Sequence, residues 1–84
     1  MDSHTAVRAR ILELCCQRQI TVNRLATLSG VTQSTLNNIV SGRNNSATVS
    51  TIKKLCDGLD ISLREFFDVP AFDVLEQEIK SHYP

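Results

Sequence analysis

The stretch Thr21-Val22-Asn23-Arg24-Leu25-Ala26-Thr27-Leu28-Ser29-Gly30-Val31-Thr32-Gln33-Ser34-Thr35-Leu36-Asn37-Asn38-Ile39-Val40-Ser41-Gly42 decides the fold of this chain. Thr21 has the character of an N-cap, and the spacing points Leu25, Ala26 and Leu28 inward before Ser29-Gly30 ends the helix. A second helix begins only two residues later at Thr32, with Leu36 and Ile39 inward and Gly42 placed as a left-handed stop. So short a connection makes the two helices cross steeply. Ala26 falls at the crossing, where a larger side chain would force the helices apart. Gly30 supplies the positive φ of the turn, and Leu25, Val31, Leu36 and Ile39 fill the wedge between the helices.

Apolar residue, alanine, three intervening residues, glycine, apolar residue, then two spaced apolar residues is the pattern of a helix-turn-helix. Outward from it the chain reads as more short helices. Val7, Ile11, Leu14 and Cys15 recur on one face of a first helix over residues 4–18, for which Ser3 is the expected cap. After the loop Arg43-Asn44-Asn45-Ser46, Thr48 starts a fourth helix carrying Ile52, Leu55, Cys56 and Leu59. Ser62 caps a short fifth with Leu63, Phe66 and Phe67, closed off by Pro70. Phe72, Leu75 and Ile79, with His82 or Tyr83, then predict an amphipathic C-terminal helix whose outer face bears Asp73, Glu76 and Glu78. The expected architecture is all-α: a compact five-helix domain over 1–69 and a helical extension over 70–84.

Eighty-four residues hold one small core and no separate sensor domain, so no small-molecule effector is expected within this chain. A hydrophobic content of 42% with 21% charged residues is that of a globular protein. No apolar run approaches the length of a membrane span, and Met1-Asp2-Ser3-His4 lacks the features of a secretory signal, so a soluble, cytoplasmic protein is expected. Cys15, Cys16 and Cys56 cannot all pair within one chain and show no CxxC spacing; they read as reduced thiols, with neither metal nor cofactor implied. His4 and His82 lie near opposite ends without a ligand cluster. There is no Ser/His/Asp set and no glycine-rich phosphate loop, and no catalytic residue is assigned.

The net charge is zero, but its distribution is uneven. From Leu14 to Cys56 there is no acidic residue, while Arg18, Arg24, Arg43, Lys53 and Lys54 lie there; from Asp57 onward acids dominate. One face therefore suits a polyanion and another repels it. Within the acid-free half, Gln33, Ser34, Asn37 and Asn38 project outward from the second helix of the motif. An ordinary solvated helix face carries Glu and Lys, whereas amides and hydroxyls match the donor and acceptor pattern of base edges, adenine above all.

The strings Ile20-Thr21, Leu25-Ala26, Leu28-Ser29-Gly30-Val31-Thr32, Ser34-Thr35-Leu36, Ser41-Gly42-Arg43, Thr51-Ile52, Leu55-Cys56 and Leu59-Asp60-Ile61-Ser62-Leu63 resemble the phage repressor/Cro type of helix-turn-helix domain, the XRE family. The resemblance implies a five-helix domain whose third helix enters the major groove of double-stranded DNA, and a transcriptional regulator, expected to be a repressor, that binds a palindromic operator as a homodimer. By residue-wise match, Gln33, Ser34, Asn37, Asn38 and Asn44 are the expected base readers, and Thr21, Asn23, Ser41, Arg43 and Asn45 the expected phosphate contacts. Many relatives carry an Arg–Glu ion pair at the positions of Cys15 and Val40, here replaced at both ends by apolar residues. Many also place at Val22 a Gln that bonds phosphate and buttresses a base-reading Gln, so that clamp is expected to be missing.

The acidic extension leaves two roles open. It covers a spare apolar flank of helix one formed by Leu12 and Cys16, or it pairs with the same element of a second chain. A different class of function, an antitoxin or adaptor that chiefly binds a protein through that extension, also fits the composition.

Overall fold

In a computed structural model, which describes residues 1–43 and 47–79, five α-helices follow one another: α1 Ser3–Arg18, α2 Val22–Ser29, α3 Gln33–Ser41, α4 Val49–Leu59 and α5 Leu63–Phe67. A single 3-10 turn, Pro70–Asp73, comes after them, and no strand occurs among the described residues.

Three of the four helix-to-helix connections use one three-residue joint. Gln19-Ile20-Thr21, Gly30-Val31-Thr32 and Asp60-Ile61-Ser62 each place a left-handed residue first, at φ of 56°, 67° and 57°. The apolar residue follows, and its N–H donates to a carbonyl five residues back: Ile20 to Cys15 at 3.0 Å, Val31 to Ala26 at 3.1 Å and Ile61 to Cys56 at 2.9 Å. The hydroxyl comes last and accepts from the N–H three residues on, in Arg24, Thr35 and Glu65, at 3.0, 3.2 and 3.0 Å. Each joint thus satisfies the last carbonyls of one helix and a first amide of the next. Its apolar residue packs on the core at the same time.

Two caps differ from this pattern. Asp2, not Ser3, caps α1, its carboxylate accepting from the Thr5 N–H at 2.8 Å; that bond holds the Asp2 carboxyl below its ordinary pKa. The chain reaches its extended cap conformation one residue earlier than the apolar period alone suggests, and a carboxylate is well placed at the positive end of a helix. Gly42 ends α3 alone, at φ 84°.

The core is assembled across the whole motif. Ile11, Leu25, Ala26, Leu36, Leu55, Cys56 and Phe66 expose none of their surface, and the Ala26 methyl is what lets α2 and α3 cross closely. Leu28, expected inside, is 44% exposed. Where α2 meets α4 there is no room for its side chain: a Cβ on Gly58 would stand 3.1 Å from the Leu28 carbonyl and overlap the Ser29 hydroxyl. Among the described residues the buried Ser29 Oγ at this contact has no hydrogen-bond partner.

Arg10 fastens α5, which is too short to hold itself. Its Nε and Nη2 donate to the Phe66 and Glu65 carbonyls at 2.7 Å each, and its Nη1 pairs with Glu13 at 2.5 Å. A cation from α1 therefore caps the carboxyl end of a five-residue helix. All three cysteines are free; Cys15 and Cys56 are buried, and burial pushes both thiols upward in pKa, while Cys16 is exposed.

The C-terminal amphipathic helix does not form among the described residues. Pro70 opens a four-residue 3-10 turn, and residues 74–79 continue without helical hydrogen bonding. Phe72 packs against the rings of Phe67, with centroids 4.8 Å apart, and Phe66, at 6.3 Å. Phe72 is the aromatic anchor of the segment, and Leu75 is half-buried. Val74 and Ile79 remain 74% and 81% exposed, too little burial to pay for ordering a helix. The segment instead meets the start of α1: the Glu76 N–H donates to the Met1 carbonyl at 3.1 Å, and the Ser3 hydroxyl donates to the Glu78 carboxylate. Leu12 and Cys16 stay exposed, so the described part of the extension does not cover their flank. His82 and Tyr83 lie outside the described residues.

Candidate nucleic-acid interface

The outer surface of α3 sorts by helical stripe. Gln33, Asn37 and Ser41 stand at successive i, i+4 positions, all exposed, while Leu36 and Ile39 on the opposite side are buried. Ser34 is exposed on the next stripe and Asn38 is half-buried at its edge, so Asn38 sits between the exposed polar face and the core. Ser41 turns its hydroxyl back to the Asn38 carbonyl at 3.2 Å. No charged side chain interrupts this face.

Thr32 sets the entry of α3, its hydroxyl accepting from the Thr35 N–H, and leaves the amino-terminal turn with Gln33 and Ser34 foremost. The amino end of α2 lies alongside. Thr21 caps it, Val22 is half-buried against the core, and Asn23 is exposed. The Nδ2 of Asn37 donates to Oδ1 of Asn23 at 2.9 Å, a direct bond between the two helices of the motif. A polar bridge from α2 to α3 thus exists although Val22 cannot make one. It runs between residues whose separation of 14 carries no signal in the sequence; only the crossing angle brings them together.

Arg43 is exposed just past the Gly42 stop. Asn44 and Asn45 lie outside the described residues. A second guanidinium reaches this end of α3 from α1: Arg8 Nη1 stands 2.7 Å from where a Gly42 Cβ would be. Gly42 is needed for its left-handed backbone conformation, φ 84°, while the Arg8 tip is a flexible neighbour that can move aside. Among the described residues the ion pairs are Met1–Glu76, Arg10–Glu13 and Lys53–Asp57. Arg8, Arg18, Arg24 and Arg43 have no carboxylate partner among them, so their charge remains available to a polyanion.

The profile of the Cro/C1-type HTH DNA-binding domain matches residues 10–71, from the middle of α1 through the turn after α5. The chain belongs to that family. The Cro/C1-type family is one of DNA-binding regulators and not a class of enzymes, and this member is accordingly a DNA-binding transcription regulator. It is similar to a solved structure, the prophage Lp1 protein 11, at 39% identity and a TM-score of 0.78; the match covers 89% of this chain and 100% of that one. No curated protein matches it. No helix among the described residues is long and apolar enough to cross a membrane.

Proposed function

We propose that this Cro/C1-type protein represses transcription by binding, as a homodimer, a palindromic operator whose half-sites are read by α3 in the major groove. The observation that carries this reading is the uncharged stripe Gln33, Asn37 and Ser41, exposed on the second helix of the motif, with Arg8 and Arg43 at its end and without a carboxylate partner among the described residues. Gln33 and Ser34 at the amino-terminal turn, with Asn37 and Asn38 behind them, read base edges. Thr21, Asn23, Ser41 and Arg43 hold phosphates and set the register, and Arg8 adds a contact at the same end of α3. Asn44 is assigned to base reading and Asn45 to phosphate contact on the strength of the family resemblance alone. Residues 70–84 form the dimerisation element, for which the exposed Val74 and Ile79 are available.

Selection from a random duplex pool, followed by footprinting and a promoter-reporter assay, tests the proposal. The expected result is one symmetric sequence bound by a dimer, with reporter output falling when the protein is supplied. Selection that enriches no sequence refutes it and favours a protein-binding role for the acidic extension. A rise in reporter output refutes repression alone.

A further inference from the structure

We propose that the cleft where the start of α1, the end of α3 and the start of α4 meet binds a small carboxylic acid with an apolar body, and that this ligand takes Arg8 away from DNA. The competition rests on the assignment of Arg8 to a phosphate; the site itself does not. The chain is too short for a separate sensor domain, but a cleft between helices needs none.

The cleft has a volume of about 340 Å³, within the roughly 300–1,000 Å³ of small-molecule sites. Val7 of α1, Ile39 of α3, Ala47 just before α4, Ile52 of α4 and Phe67 of α5 form its apolar walls. Phe67 packs edge-on against Phe66 and Phe72, yet it stays 39% exposed. A ring left open among aliphatic side chains is a surface from which the hydrocarbon of a ligand displaces water.

Ser3, His4, Arg8 and Thr48 supply the polar groups. Two of them are already engaged. The Ser3 hydroxyl donates to the Glu78 carboxylate, and the Thr48 hydroxyl accepts from the Thr51 N–H at 3.1 Å. Arg8 is half-buried, has no carboxylate partner among the described residues, and no Asp or Glu among them lines the cleft. A half-buried cation beside apolar walls, without a counter-charge, calls for an anion. Its guanidinium presents a fork of N–H donors that a carboxylate matches with two parallel bonds, and the His4 imidazole adds a donor. Glu78, at the rim through Ser3, opposes a second negative charge, so the ligand is a monoanion. The tip of Arg8 is flexible and stands at the Gly42 end of α3, where it serves either the ligand or a phosphate. Ligand and operator therefore oppose each other, by the same factor in both directions.

The test titrates the protein with octanoate, acetate and octanol, followed by amide chemical shifts, with a thermal melt of each variant. Octanoate is expected to shift the Val7, Gly42 and Ala47 amides saturably, with the high-micromolar to millimolar Kd of so small a ligand. Acetate, a head without a tail, and octanol, a tail without a head, are expected to bind about 10-fold more weakly or worse. Arg8→Gln is expected to bring octanoate down to the level of octanol. Ala47→Leu fills the cleft and is expected to abolish binding with Tm retained; Val7→Phe fills it from α1 should Ala47→Leu fail to fold. On the selected operator, saturating octanoate is expected to lower affinity by roughly 5-fold or more in the wild type and to have no effect in the filled variant. No saturable shift in the wild type, or wild-type octanoate binding by Arg8→Gln or by the filled variant, overturns the site. Saturable binding with operator affinity unchanged overturns the competition alone. A protein that binds octanoate in this way but enriches no duplex keeps the site and overturns the assignment of α3 as the reading helix.

Discussion

At the scale of single residues, the proposed function separates base reading from phosphate holding by position on α3. Gln33 stands one residue past the Thr32 cap, foremost on the helix, whereas Arg43 lies past the Gly42 stop with no fixed plane to set against a base. Gln33→Ala is expected to remove about 1–3 kcal/mol of discrimination at one base pair per half-site. Arg43→Ala should weaken all sequences alike and make the salt dependence shallower by roughly one unit per protomer. Competition against single-base operator variants checks both, and an unaltered base profile in Gln33→Ala removes that residue from the reading set. Gly58 is decided by space alone: since a Cβ there would overlap Ser29 Oγ and press on the Leu28 carbonyl, Gly58→Ala should cost about 1–3 kcal/mol, the range of overpacking a tight site. Ser29→Ala removes a buried hydroxyl without a partner and should be neutral or stabilising in a melt. The double variant should recover part of the loss if the hydroxyl is the main obstacle.

At the scale of helices, the repeated joint explains how five short elements hold one geometry. None of α2, α3 or α5 exceeds nine residues, too short for stability in isolation, so their ends and their packing decide their existence. The glycine at Gly30 was visible as a stop; the left-handed Gln19 and Asp60 were not, because residues with a Cβ rarely adopt that region. The signal that could have found them is the recurrence of an apolar residue followed by Thr or Ser at 20–21, 31–32 and 61–62. Where α1 meets α3, Cys15 is buried and Val40 packs half-buried against the same core, consistent with two apolar replacements in one contact region. Val40→Glu should destabilise the fold by on the order of 2–3 kcal/mol, somewhat less than a fully enclosed orphan charge. Cys15→Arg in the same chain should restore part of it. Thermal melts of both single variants and the double variant measure the coupling; strict additivity would show that the two positions do not face each other.

At the scale of the whole molecule, a neutral chain presents a basic face by segregating its charge. Of the acids that follow Cys56, Asp57 pairs with Lys53 along α4, and Glu76 and Glu78 meet the start of α1. The arginines around the motif stay unpaired among the described residues. With about four to six phosphate contacts per protomer, the log–log slope of affinity against salt for a dimer should be on the order of −7 to −11. A titration series at several salt concentrations measures it, and a slope near zero would mean that phosphates contribute little to binding.

What the amino-acid sequence determined by itself is whatever depends on neighbours along the chain. The four helices with hydroxyl caps, the Gly30 and Gly42 stops, the small Ala26 at the crossing, the buried faces of α3 and α4 and the polar stripe of α3 all follow from periods and local backbone preferences. The tertiary structure alone decided the Asn23–Asn37 bridge, the Arg10 clamp on α5, the place of Arg8 beside Gly42 and the exposure of Leu28. Each of these depends on the distance between elements far apart in the chain. The same cause undid the expected C-terminal helix, whose apolar spacing was sound. A helix needs a surface on which to bury its stripe, and among the described residues Val74 and Ile79 stay exposed beyond the Phe72 anchor.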